Sequence, residues 1–249
     1  MIDVNKNYGI KDYDSGIGDA VIKSSFPENF FFNYNKKLID LEKKWIFDYN
    51  PYVERDKEAD EVLHFLKKQA EIINEGKRIC HPSHASEYCY NFSLPKCFLR
   101  RPRLYKYEDL KTIKDRVVVH TKGRTVGQMP EIIKDQISKN YIDYNIIQIG
   151  MPDEPLIQNA QDARGLSVWD TTEIIASCAI FIGVNSGFHH ISKAYPKVRS
   201  KLILEIPQDK ILNFRPLDLK NHFEWFEFGL EFYNCSKYDI GITDSYLKI

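Results

Sequence analysis

Three short stretches of this chain combine residue types that can hold an anion and move a proton. FIGVNSGFHHISKA (181–194) sets Asn185, Ser186, Gly187, His189 and His190 directly behind an apolar run. VVVHTKGRTVG (117–127) follows a β-branched run with Thr121, Lys122 and Arg124. DSGIGDAV (14–21) carries Gly16 and Gly18, then Asp19. Glycine lets backbone N–H groups approach a ligand, and a helix N-terminus adds partial positive charge suited to phosphate. In the first stretch Gly187 gives that access, Ser186 can donate and His190 lies one helical turn in. The competing reading is a plain strand-to-helix turn with an ordinary histidine. Asp19 is a carboxylate able to accept a proton; its competing reading is a residue that only caps a helix.

Other candidates are weaker. DSGIGDAV lacks the third glycine of G-x-G-x-x-G and has no Walker lysine. ICHPSHASEYCYNF (79–92) crowds Cys and His, but the spacings match no tetrahedral zinc pattern. No metal site is expected.

The elements that must position these residues are clearest in the second half. RVVVHTKG, YNIIQIG, AIFIGV and KLILEI read as buried strands. Between them, MPEIIKDQISKNY reads as a helix, with Ile132, Ile133, Gln136 and Ile137 at helical spacing and Pro130 in its first turn. TTEIIASC reads as a helix capped by Thr171 with Glu173 near its start, and GFHHISKAY as a third. Alternation of strand and helix predicts a parallel sheet with helices on its faces, whose ligands lie outside the C-terminal strand ends. HTKGRTVG and NSGFHH both fall at that end. In the first half EADEVLHFLKKQAEIIN (58–74) reads as an amphipathic, structural helix. The expected division is a short α/β domain over 1–114 and a second over 115–249. FEWFEFGLEFYNCSKYDIG (223–241) is expected to include a helix packing back towards the first.

Composition narrows the function classes. The chain has 249 residues, 43% hydrophobic and 28% charged, with formal net charge +0. Neutrality gives no reason to expect a nucleic-acid partner. Five cysteines, Cys80, Cys89, Cys97, Cys178 and Cys235, form an odd set without a C-x-x-C pair. That argues against a disulfide framework and for a reducing cytoplasm. No apolar run approaches the roughly 18 to 20 residues of a membrane span, and the polar, acidic N-terminus is not a secretory signal. The basic cluster KCFLRRPRLYKYEDLKTIK (96–114) suits peripheral contact with the inner membrane surface; a solvated loop and helix is the alternative.

Together the motifs resemble a family. GIGDAV resembles the N-terminal Gly-Asp loop of heptosyltransferase-type glycosyltransferases (family 9, GT-B fold). VVVHTKGRTVGQMPE resembles the strand and phosphate loop opening their nucleotide domain. DTTEIIASCAIFIGVNSGFHHISKAYPK resembles their signature stretch, an acid-led helix, a strand, then Asp-[Ser/Thr]-Gly-x-x-His. The match covers most of 116–206 but only about a dozen residues of the first half. The resemblance implies two Rossmann-like domains with parallel sheets facing a cleft, the second domain holding a nucleotide-diphospho-sugar, ADP-heptose in the best-known members. The first would hold the acceptor, a glycan or lipid-linked glycan of the bacterial surface. Transfer would be inverting, with no cofactor and no obligatory metal. Asp19 falls on the catalytic base. Gly18, Thr121, Lys122, Arg124, Asn185, Ser186, Gly187, His189 and His190 fall on or beside donor-binding positions, with His189 the next candidate base.

The chain also departs from the family. Asn185 replaces the usual Asp, and Gly127 falls where well-studied members carry a phosphate-binding Lys, so Lys122 or Arg124 must substitute. Asp12-Tyr13-Asp14 has the form of a metal-binding D-x-D, but the sequence shows no apolar strand before it. Two other function classes therefore stay open: a nucleotide-sugar epimerase or hydrolase on the same fold, and a nucleotide-sugar-binding protein without turnover.

Overall fold

The computed structural model describes residues 2–11, 16–64, 102–123, 127–184, 186–204 and 231–234. The chain divides into two compact units, Met1–Lys106 and Tyr107–Ile249. Each is built on a parallel sheet, as an α/β fold of two Rossmann-like units requires.

In the first unit β1 (Tyr8–Lys11) is followed by α1 (Ile17–Ile22) and α2 (Phe26–Tyr34), then β2 (Leu38–Asp40), β3 (Val53–Glu54) and β4 (Glu61–His64). The sheet runs β3-β2-β1-β4, and every neighbouring pair is parallel. The chain steps outward from β1 to β3, then returns to β1's other side at β4. Tyr8, Ile10, Phe26, Phe30, Leu38 and Leu63 are buried and fill the core.

Two sequence expectations are corrected here. Residues 61–64 form a strand rather than part of a helix: Tyr8, Gly9, Ile10 and Lys11 pair with Glu61, Val62, Leu63 and His64. Pairing with β1 overrides the local helical spacing; the rest of that stretch, 65–74, lies outside the described residues. A strand, β1, does precede Asp12-Tyr13-Asp14. It is only 4 residues long, too short to show a period in the sequence. The Cys- and His-rich stretch at 79–92 and the D-x-D itself lie outside the described residues.

The second unit runs β5 (Ile113–His120), a hairpin of β6 (Lys122–Gly123) and β7 (Gly127–Gln128), then α3 (Glu131–Asn140), β8 (Asn145–Ile149) and β9 (Gln161–Asp162). It continues through α4 (Val168–Ala176), β10 (Cys178–Val184), α5 (Gly187–Ala194), β11 (Arg199–Leu204) and β12 (Glu231–Asn234). Its sheet order is β12-β11-β10-β5-β8-β9, parallel throughout. From β5 the chain lays β8 and β9 to one side and then β10, β11 and β12 to the other. The order therefore reverses between β5 and β10.

Burial explains the unbroken apolar runs. A parallel sheet covered on both faces buries both side-chain rows of its strands. Val117 and Val119 pack with Ile133 and Ile137 of α3, Ile146, Ile180 and Ile182 on one face. Val118 and Phe181, paired across the ladder, point to the other, and α4 and α5 pack on each other and on β10. Fully burying each such aliphatic side chain contributes about 1.5–3 kcal/mol.

The cap of α4 is Ser167, not Thr171. The Ser167 hydroxyl accepts from the Asp170 N–H at 3.2 Å and donates to the Asp170 carboxylate at 2.6 Å, the Ser-x-x-Asp arrangement that opens a helix. Thr171 lies buried within it. Of the C-terminal stretch 223–241 only 231–234 are described, and they form β12, a strand paired with β11; the rest of the stretch, on which the expected helix falls, lies outside the described residues. Among the described residues no helix is long and apolar enough to cross a membrane.

Candidate functional site

The reversal of strand order places the ends of β5 and β10 side by side. His120, the last residue of β5, is paired with Gly183. A ligand site on an open α/β sheet forms in the crevice outside the carboxyl ends of the strands flanking such a reversal. The two loops that carry the candidate residues leave from here.

The loop after β5 is a hairpin rather than a turn directly into a helix. Lys122 pairs antiparallel with Gln128 and Gly123 with Gly127, and the Met129 N–H donates to the Thr121 carbonyl at 2.6 Å. Arg124 lies outside the described residues. Lys122 is exposed and 3.5 Å from an Asp153 carboxylate oxygen. Thr121 is buried and its hydroxyl donates to Glu154 at 2.7 Å. The hydroxyl proton of Thr121 is thus engaged inside the protein. The next helix, α3, begins with Pro130 at its cap and Glu131 in its first turn. The Lys134 ammonium pairs with the Glu131 carboxylate at 2.7 Å.

The loop after β10 leads directly into α5. Ser186 stands at the cap position in extended conformation (φ −144°, ψ 176°), yet its hydroxyl makes no cap bond to the helix. It is hydrogen-bonded instead to Nδ1 of His120 at 2.9 Å. Gly187 opens the helix with its backbone half-buried, and Asn185 lies outside the described residues. His189 is only 2% exposed, and neither ring nitrogen has a hydrogen-bond partner among the described residues. Burial, with the charges of His190 and Lys193 second and third, holds its pKa well below the ordinary 6.5. A ring buried this deeply is not placed to take a proton from an incoming substrate, so His189 is a poor substitute base. His190 lies half-buried beside it, ring centroids 5.4 Å apart.

His120 is the residue of this site that the sequence reading passed over. It is 4% exposed, its ring meets Phe188 edge to face at 4.9 Å, and burial pushes its pKa down to about 4, so it is neutral near pH 7. Its signal was positional: a polar ring closing an apolar strand just before a glycine loop. Gly183 makes room for it. A Cβ there would lie 2.8 Å from a Phe181 ring carbon and 3.3 Å from the His120 Cβ.

In the first unit the corresponding reversal lies between β1 and β4. Gly16 (φ +117°) takes a left-handed conformation that admits glycine, and Gly18 and Asp19 follow within α1. The structure thus groups Thr121, Lys122, Ser186, Gly187, His189 and His190 in the second unit, and Gly18 and Asp19 in the first. Among the described residues no group of three or more His, Cys, Asp or Glu side chains could hold a metal ion.

Two parallel sheets with helices between their strands define an α/β fold of two Rossmann-like units, as in GT-B-like folds. No family model matches the chain, and no curated protein matches it. Solved structures do. E. coli heptosyltransferase WaaC with ADP aligns with a TM-score of 0.61 at 10% identity, over 91% of this chain and 93% of WaaC. The iron-containing dodecameric glycosyltransferase TibC from enterotoxigenic E. coli H10407 gives 0.61 at 15% identity, over 80% of this chain. A family 9 glycosyltransferase from Veillonella parvula DSM 2008 gives 0.54 at 11%, over 95% of this chain and 88% of that one. The chain spans 60% of the length of TibC, which is also solved with ADP-D-beta-D-heptose. At these identities the likeness is one of fold.

Proposed function

We propose that the chain is a glycosyltransferase that moves a sugar, heptose first among the candidates, from a nucleotide-diphospho-sugar to a bacterial surface-glycan acceptor. The observation that carries this reading is the juxtaposition of the β5 and β10 loops at the strand-order reversal, in a fold shared with WaaC solved with ADP. In this reading Asp19 accepts the proton of the acceptor hydroxyl as it attacks the anomeric carbon. The departing nucleoside diphosphate gains negative charge, which backbone N–H groups around Gly187, Ser186, Lys122 and Arg124 stabilise. A single displacement inverts the anomeric centre and needs no metal step. The acceptor is a glycan or lipid-linked glycan, and the reaction belongs in the cytoplasm, against the inner membrane surface where the acceptor is lipid-linked.

Titration calorimetry with ADP, GDP, UDP and CDP and their sugar conjugates tests this, followed by a mass-spectrometric transfer assay with the conjugate that binds. One nucleoside diphosphate should bind, and Ser186→Ala and Arg124→Ala should each weaken it by about 1–3 kcal/mol, the scale of a charge-assisted hydrogen bond. Unchanged affinity in both variants removes the diphosphate from this surface. Tight binding with no turnover on any acceptor turns the reading towards a nucleotide-sugar-binding protein.

A further inference from the structure

Ser186 occupies a helix cap but does not act as one. A serine at this position ordinarily accepts from the N–H of the second or third helical residue, here Phe188 or His189. The first amides of a helix have no carbonyl partner within it. In this chain the hydroxyl turns the other way and bonds Nδ1 of His120 at 2.9 Å, with no cap bond to α5. Three features hold the imidazole in place to do this. The ladder pairs His120 with Gly183, whose missing Cβ leaves the slot open. Phe188 packs edge to face on the ring. The ring is 4% exposed, so few other orientations are open to it.

We propose that His120 is a positioning residue of the donor site: its Nδ1–H donates to the Ser186 oxygen and holds that side chain against the end of β5 and off the first turn of α5, so that the Ser186 hydroxyl proton and the Phe188 and His189 amides are all left to meet a diphosphate. The inference rests on the donor-site reading above and adds a residue outside the glycine loops. It also accounts for a serine that forgoes a cap bond worth about 1 kcal/mol. Because His120 is neutral near pH 7, it orients the hydroxyl through a hydrogen bond and adds no charge.

The test compares His120→Leu, which cannot bond Ser186, with His120→Asn, whose side-chain amide reaches the place of Nδ1. Two readouts are taken: amide exchange at Phe188 and His189 without ligand, by nuclear magnetic resonance, and affinity for whichever of ADP, GDP and UDP binds the wild type best. In His120→Leu the released hydroxyl caps the helix, exchange at one of the two amides slows, and affinity falls about tenfold, the scale of one hydrogen bond to an anion. His120→Asn restores both. In a Ser186→Ala background His120→Leu changes affinity by less than about twofold, because the two residues act as one unit. Unaltered exchange in His120→Leu overturns the proposal. So does an undiminished affinity loss in the Ser186→Ala background, which would mean that His120 acts on the nucleotide without Ser186. Wild-type protein that binds none of the three nucleotides sinks the donor-site reading itself, a failure distinct from either.

Discussion

The hydroxyl of Thr121 donates to Oε2 of Glu154 across 2.7 Å, tying the residue after β5 to one 33 positions further along the chain. The other carboxylate oxygen accepts from the Met151 N–H at 2.8 Å. The Gln148 amide donates to the Thr121 oxygen at 3.4 Å and to the Pro155 carbonyl at 2.9 Å, and its own oxygen accepts from the Ile157 N–H at 2.7 Å. Thr121, Gln148 and Glu154 are all buried. The base of the β6–β7 hairpin is thus anchored to the segment after β8 by a closed polar network. Thr121→Val removes one donor from a buried carboxylate and should lower stability by about 1–3 kcal/mol, read as the urea midpoint. Nucleotide affinity of the folded variant should stay near wild type, because this hydroxyl is engaged internally. Lost affinity at an unchanged midpoint would return the Thr121 hydroxyl to the ligand.

Gly150 closes the same network from the other side. Its φ of +134° is a conformation that L side chains rarely adopt, and a Cβ there would stand 2.6 Å from the Glu154 Oε1. Gly150→Ala therefore carries two costs, backbone strain and a displaced carboxylate, and should lower stability by about 2 kcal/mol or more. Adding Glu154→Ala removes the collision but not the strain, so Gly150→Ala should cost less in that background while remaining destabilising. Equal costs in both backgrounds would show that the contact with Glu154 contributes nothing.

The second unit was legible because its strands are buried on both faces. Val117 to Val119 and Ala179 to Val184 announce themselves without reference to partners, and the glycine loops fall where such strands end. The reversal of strand order was not written locally; it follows from which neighbour each strand pairs with, as His120 with Gly183. β4 was misread for a related reason. Glu61, Val62, Leu63 and His64 expose the first two residues and bury Leu63, a pattern equally compatible with a helix until β1 supplies the partner. The partner of Thr121 was not legible, because Glu154, which engages its hydroxyl, lies too far along the chain for spacing to reveal. His120 was hidden by the opposite circumstance: it reads as the last residue of a core strand, and its role depends on Ser186, 66 positions away.

Acid should weaken the second unit. Burial pushes His120 down to about 4 and, with neighbouring positive charge, holds His189 well below its ordinary value. In the unfolded chain each ring takes up a proton as pH falls through about 6.5, whereas the folded protein resists protonation. The unfolded state thus binds more protons below about 6.5, and stability falls with pH over that window. Above it neither ring contributes a slope. For His120 the difference between 6.5 and about 4 corresponds to about 3 kcal/mol by the lower end. Urea midpoints from pH 7.5 to 4 should be level at first and then drop, with a shallower drop in His120→Asn. A variant with the wild-type slope would mean that His120 titrates normally in the fold.

Asp19 carries the chemical step of the proposed reaction, and its test separates a base from an acid that only supports the first turn of its helix; the cap position before α1 belongs to Gly16, not to Asp19. It is the third residue of α1, in the segment that leaves β1 where the first sheet reverses its strand order. Partial positive charge in the first turn of a helix favours the ionised carboxylate, the form able to accept a proton at neutral pH. Asp19→Asn keeps the size and removes the basicity. If Asp19 is the base, turnover should fall about a hundredfold or more, the usual contribution of a positioned proton acceptor, while nucleotide affinity and melting temperature stay close to wild type. If Asp19 only complements the helix dipole in the first turn of α1, turnover survives in Asp19→Asn, and Asp19→Ala would cost about 0.3–1 kcal/mol of stability and little activity once folded. Measuring melting temperature, nucleotide affinity and turnover on both variants decides between them. Near-normal turnover in Asp19→Asn would send the search for the base to the other polar residues of the first unit rather than to His189, whose ring is 2% exposed and held neutral by burial.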